Sequence, residues 1–333
     1  MNSTLTYQYL LLLLLVSGIV LIFGCNVTEV EKEETEEERV CPADMGMFPP
    51  LKNCYVSSDS YPSWSPDGRY IAYISTNREP FSQEAKDSVA SLGLYVYELA
   101  TDKKTLLHEG GFYTMSSQAW SPDGQWLTFG LGKQIYKIRA DGSHLRRLTK
   151  NDDRAYFNPA WSPDGEWIAY NDRTVGGVKN TGTWMVDSRG LSNKYLYGIA
   201  DPVWSSDGNH VLGIRTLAYN DVERIFIRVY IESYMQPDTL SVRDNAINTK
   251  PDYSSDDAQI VFQSQGRYDG DIDIWKINAD GTGLKRLTFN GGQHPGWSPG
   301  GSTIAYVNID YFEGRGKIWL MDSDGTNRRP MRR

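Results

Sequence analysis

Short apolar runs broken by turn signals fill residues 57–333, and their pattern repeats. Six times an aromatic residue opens a turn: Trp64-Ser-Pro-Asp-Gly68, Trp120-Ser-Pro-Asp-Gly124, Trp161-Ser-Pro-Asp-Gly165, Trp204-Ser-Ser-Asp-Gly208, Tyr253-Ser-Ser-Asp-Asp257 and Trp297-Ser-Pro-Gly-Gly301. Proline at the second place of such a turn presets φ, aspartate bonds the local backbone and glycine accepts the positive φ from which a strand departs. Seven residues after each aromatic stands an aliphatic (Ile71, Leu127, Ile168, Val211, Ile260, Ile304), and two further on Tyr73, Phe129, Tyr170, Gly213, Phe262 and Tyr306. Residues two apart share one face of a strand, so the pattern predicts a hairpin around each turn. Second strands are predicted over 94–99, 134–138, 224–231, 272–277 and 317–321. Further turns at Asp141-Gly142, Asp280-Gly281 and Asp324-Gly325 follow, and short basic strands at 145–149 and 284–288 close their units.

About four short strands recur per unit, with no helical period in the repeat region. The six aromatics lie 56, 41, 43, 49 and 44 residues apart, one supersecondary unit per copy. Units of this size in a ring make an all-β, six-bladed β-propeller of four-stranded blades. A lone blade leaves both sheet faces bare, so the repeated aromatic is read as packing between neighbours.

The pattern Pro-x-Trp-Ser-Pro-Asp-Gly-x-x-Ile-Ala-Tyr, with Asp-Gly and Arg-Arg-Leu-Thr downstream, resembles the WD40-like repeat of TolB-type six-bladed propellers. The resemblance covers 57–333 and is confined to the propeller, since TolB proteins carry an α/β domain ahead of the blades. A role in the Tol–Pal system is therefore not carried over.

Residues 10–24 form an apolar run of fifteen, short for a transmembrane helix and suited to a signal-peptide core. Its end, Leu21-Ile-Phe-Gly-Cys25, resembles a bacterial lipobox, which implies lipidation at Cys25 after cleavage of 1–25. Phe23 and a leader without Lys or Arg depart from that pattern, leaving an uncleaved anchor or a plain secretory signal as alternatives. Each alternative exports the propeller to the periplasmic or cell-surface side. Residues 26–40 carry seven Glu, one Lys and one Arg, a charge of −5, and are expected to be a solvated tether. The remaining net charge of −3 gives no sign of a nucleic-acid partner. Cys41 and Cys54, in an oxidising compartment, are expected to pair, tying down a closure segment over 41–56. Residues 51–56 are the preferred outer edge of the last blade, because Pro330 makes 328–333 a poor strand.

The repeat also allows the blades to be compared with one another. Just before each aromatic the residue is mostly small, and before that stands Pro in five of six units. One place further back stand Tyr61, Ser117, Asn158, Asp201, Lys250 and His294. A constant frame presenting six different side chains is what a binding ring at the axial mouth requires. A solvated rim with no ligand is the competing reading. No Gly-x-Ser-x-Gly elbow or His-x-x-x-His pair accompanies it, and the four His are scattered, so no metal or cofactor is expected. Asp269, Asp271 and Asp273 suit a hard cation by type but are read as facing water, and the strand over 224–231 as having one solvated side. The expected function is a lipid-anchored, monomeric, non-catalytic scaffold binding an envelope protein or a glycan. The alternative is a carbohydrate-active lyase or glycosidase with its site at the mouth.

Overall fold

The computed structural model of the chain describes residues 58–77, 91–111, 115–150, 154–174, 182–216, 224–232, 237–240, 242, 246–266, 271–310 and 315–332. The leader, tether and closure segments expected over 1–25, 26–40 and 41–56, with Cys25, Cys41 and Cys54, lie outside these residues.

Twenty-four strands form six antiparallel sheets of four. Each sheet takes its strands in sequence order, giving blades over 59–110, 115–147, 154–197, 200–240, 246–286 and 293–330. The first strand of every blade is innermost, and these inner strands (Asp59–Trp64, Met115–Trp120, Arg154–Trp161, Ala200–Trp204, Ala246–Tyr253, Gln293–Trp297) touch in a closed ring. The chain is the six-bladed propeller that the repeat predicts.

The repeat aligns the inner hairpins. Each turn aromatic pairs directly with the aliphatic seven residues on, from Trp64 opposite Ile71 to Trp297 opposite Ile304. In the first turn Ser65 Oγ donates to Asp67 Oδ1 at 2.6 Å, the same carboxylate accepts the Arg69 N–H at 3.0 Å, and Tyr70 N–H donates to Ser65 Oγ at 2.9 Å. The arrangement recurs in the next four blades. These bonds hold Asp207 down to about 2, the Ser205 hydroxyl contributing most.

The turns also touch one another. Gly165, at φ 72°, places its Cα so that an added Cβ would lie 3.4 Å from Pro122 of the preceding blade. Gly68, Gly124 and Gly208 face Pro299, Pro66 and Pro163 in the same way. Where Ser206 replaces that proline in blade four, Asp257 replaces the glycine in blade five. Its carboxylate accepts the Ser206 N–H at 2.8 Å and the Ser206 hydroxyl at 2.7 Å. A proline has no N–H to satisfy, a serine has one, and the aspartate supplies the acceptor.

The core lies between blades rather than within them. Six hydrophobic clusters each join two neighbouring blades, as where Leu94 and Val96 of blade one meet Trp120, Leu127 and Phe129 of blade two. Each buried aliphatic or aromatic there contributes about 1.5–3 kcal/mol. In blade four Gly213 replaces the aromatic because a Cβ would lie 2.6 Å from Ile199 Cδ1, whose side chain fills the space.

Three expectations need correction. Arg329–Pro330 does form a strand, the outermost of blade six among the described residues, with Met331 N–H donating to Ile318 O at 2.9 Å; the closure expected from 51–56 lies outside those residues. Pro330 is tolerated because an outermost strand leaves one row of backbone groups unpaired in any case. Asp271 is exposed as expected, but Asp273 is buried: it pairs with Arg286, accepts Thr288 Oγ1 at 2.8 Å and accepts Gly291 N–H at 3.2 Å. The strand Arg224–Tyr230 has no solvated side of the expected kind. Ile225, Ile227 and Val229 pack toward blade three, while Phe226 is buried and Arg228 reaches Tyr253 Oη at 3.3 Å in blade five. In a closed ring every blade is flanked on both faces, so strand alternation does not imply solvent here.

Candidate functional site

Every inner strand has a bulge at or beside the residue three places before the aromatic. A bulge leaves a residue out of the ladder and re-aims its side chain. Tyr61, Asn158, Asp201, Lys250 and His294 adopt left-handed backbone, at φ between 50° and 54°. All five precede proline, and such conformations cost on the order of 1–3 kcal/mol each. Ser117 is the exception, and it precedes Gln118 instead. Gln118 uses its side chain across the blade boundary, donating from Nε2 to Ala72 O at 2.9 Å and to Tyr61 O.

All six predicted residues line one axial cavity of about 410 Å³. They also contact one another in a nearly unbroken circuit. Ser117 Oγ donates to Asn158 Oδ1 at 2.7 Å, and Asn158 Nδ2 donates to Asp201 Oδ1 at 2.5 Å. Lys250 Nζ forms an ion pair with Asp201 Oδ1 at 3.0 Å and stands 5.5 Å from the Tyr61 ring centroid. The Tyr61 and His294 rings lie 4.1 Å apart, tilted by 36°. Asn171, one strand behind the rim, fixes Asp201 by accepting its N–H at 2.9 Å.

Burial and the nearby Lys250 ammonium hold the His294 imidazole down to about 3, against the smaller pull of Asp201. The ring is therefore neutral at physiological pH. Its Nδ1 is enclosed and has no hydrogen-bond partner among the described residues, and its backbone N–H donates to Gln263 Oε1 at 2.8 Å.

The cavity continues inward past the rim, along Trp64, Trp120, Trp161, Trp204, Tyr253 and Trp297, to the turn prolines Pro66 and Pro299. The repeated aromatics thus pack between blades, as expected, and also wall the channel. Trp120 and Trp204 donate from Nε1 to the carbonyls of Ser63 and Ala160 in the preceding blade, both at 3.1 Å.

One channel residue was missed by the sequence reading. Asp252 occupies the place just before the aromatic, where the other blades have Ser63, Ala119, Ala160, Val203 and Gly296. Its Oδ2 accepts the Trp297 N–H at 2.7 Å, and desolvation pushes its carboxyl up to about 7. Gly296 of the next blade lies opposite, where an added Cβ would stand 3.8 Å from Oδ2. The signal was present as the lone ionisable side chain in a register of uncharged, mostly small ones. Among the described residues, no three His, Cys, Asp or Glu side chains lie together so as to hold a metal ion.

No protein-family model matches the chain. Among curated proteins, an uncharacterized protein of Agrobacterium fabrum is 26% identical over 283 residues, covering 80% of this chain and 73% of its own. TolB of Francisella tularensis is 36% identical over 98 residues, 27% of this chain and 19% of TolB. Dipeptidyl-peptidase 5 of Porphyromonas gingivalis is 30% identical over 96 residues, 28% of this chain and 13% of that enzyme. The matched part is thus a fraction of the length of TolB and of the peptidase. Among solved structures, TolB from Acinetobacter baumannii superposes with a TM-score of 0.64 at 17% identity, over 78% of this chain and 63% of that one. A structure described as TolB from Agrobacterium tumefaciens gives 0.61 at 23% identity, over 73% and 89%. By its blade number and these superpositions, the chain has the six-bladed β-propeller fold and is similar in that fold to the TolB structures.

Proposed function

We propose that the protein is an exported, lipid-anchored propeller that binds an envelope protein at its axial mouth and catalyses no reaction. The observation that carries this reading is the rim. Six different side chains are presented in one structural register, five of them on strained backbone, around one open cavity. Strain of that kind persists where the surrounding fold over-determines it, and it collects at sites of function. A relative over part of the chain is named a Tol-Pal system protein, and the apolar run ending at Cys25 suits export and anchoring. A photoreactive residue placed at Ser117 should cross-link one partner in the native envelope, whereas the same residue at exposed Leu191 on an outer turn should not. Equal cross-linking from both positions would remove the mouth as the site.

One observation favours the alternative of a carbohydrate-active enzyme. Asp252, with its carboxyl pushed up to about 7, shares the channel with Asp201, which is ion-paired to Lys250. A protonated and an ionised carboxyl in one cleft is the pairing that glycoside hydrolysis uses. Turnover of any polysaccharide by the purified protein, lost on Asp252→Asn, would establish that reading and end the scaffold one.

A further inference from the structure

The channel below the rim has an uneven charge inventory. Its acidic and basic lining residues are Asp201, Lys250, Asp252 and His294, joined by the phenols of Tyr61 and Tyr253. Asp201 and Lys250 neutralise each other in a 3.0 Å ion pair, His294 is held neutral, and Tyr253 keeps its proton, its phenol pushed up by burial. Asp252 remains. Among the described residues it has no cationic partner, and only the neutral backbone N–H groups of Trp297 and Tyr253 donate to it. A desolvated carboxylate without a counter-charge is unfavourable, and a cation placed beside it relieves that cost.

The surroundings suit a cation more than any other group. The wall of the same cavity is aromatic, from Trp64, Trp120, Trp161, Trp204, Tyr253 and Trp297. Indole and phenol rings attract ammonium and guanidinium groups, most strongly where water is excluded. Their polar atoms do not compete for an anion: the indole N–H groups of Trp64, Trp161 and Trp297 are enclosed, and those of Trp120 and Trp204 are already bonded to carbonyls.

We propose that Asp252 and the aromatic wall form an inner subsite that holds one ammonium or guanidinium group of the ligand, beneath the rim residues that hold the rest. This rests on the reading of the mouth as a binding site and adds to it the chemical class of the group that enters: a lysine or arginine side chain of the partner. Asp252 is the specificity-determining residue, and the rim gives orientation.

The test uses small probes, so that it does not depend on knowing the partner. Purified full-length protein is titrated by calorimetry with Nα-acetyl-lysine methylamide and Nα-acetyl-arginine methylamide as side-chain probes, putrescine as a free amine and Nα-acetyl-norleucine methylamide as the uncharged control. The two side-chain probes should bind and norleucine should not, with affinity falling roughly tenfold on Asp252→Asn. Should that variant fold poorly, Asp252→Ala reproduces the residue that blades two and three carry at Ala119 and Ala160 and should behave alike. Binding of putrescine alone would keep the cation site and overturn the side-chain source. No binding by any cation, or binding undiminished in both variants, would overturn the subsite. Loss of partner capture by rim variants would be untouched by that failure, which separates this inference from the reading beneath it.

Discussion

The two ends of the axial channel are built from the same repeat and follow opposite rules. At the turn end, glycine of one blade sits on proline of the preceding one, and where Ser206 breaks the pattern Asp257 restores the contact across the boundary. At the rim end no two blades present the same side chain, and the backbone is strained rather than relaxed at five of the six positions. Compensation at one end and diversity at the other mark what each is for. The turn ring closes the fold, and the rim ring faces whatever the fold serves.

The largest effect should come from the turn end. Gly165→Val forces a β-branched residue to φ 72° against Pro122 and should cost about 2–3 kcal/mol in urea unfolding, leaving ligand binding by the folded fraction unchanged. A binding defect as large as the stability defect would blur the division between the two ends.

Next comes Asp252, whose folded-state carboxyl is raised from 3.8 to about 7. The folded protein holds this proton while the unfolded chain has released it, so stability falls as pH rises between about 4 and 7. Asp252→Asn should remove most of that fall, read as the difference between the two proteins' unfolding free energies at pH 4 and at pH 8. His294 has the opposite sign. Its folded pKa is depressed from 6.5 to about 3, so its neutral burial stabilises above 6.5 and that contribution is lost as pH falls toward 3. His294→Gln should flatten the acid limb. An acid limb as steep as that of the parent would show that other groups set it.

The smallest effect tests the compensation itself. Ser206→Pro and Asp257→Gly should each cost about 1 kcal/mol alone, and the double variant should recover most of it by restoring the glycine-on-proline contact of the other blades. Strictly additive losses would mean that Ser206 and Asp257 do not act as a pair.

Most of the fold was legible because its determinants are local and repeated. The Trp64-to-Ile71 spacing fixes a hairpin, and six copies fix the ring. The rim residues were legible for the same reason, since one register of a repeat is one place in space. What escaped the sequence depends on contacts between blades. Asp273 looked like a solvated carboxylate until Arg286, thirteen residues on, was seen to fold back over it. The strand Arg329–Pro330 was not legible because the propensity of Pro330 says nothing of its place on a sheet edge. Asp252 was passed over in a register read for its small size, although its charge was the informative property there.

The central claim is that the rim is for binding and not for holding the fold, and the double variant Lys250→Ala/His294→Ala tests it most directly. Both residues lie on the cavity, where they meet Asp201 and Tyr61, and neither is a member of the hydrophobic clusters between blades. Capture of the cross-linked partner from native envelopes should be abolished, with the melting temperature lowered by no more than about 3 °C. Undiminished capture, or a variant that fails to fold, would contradict the account.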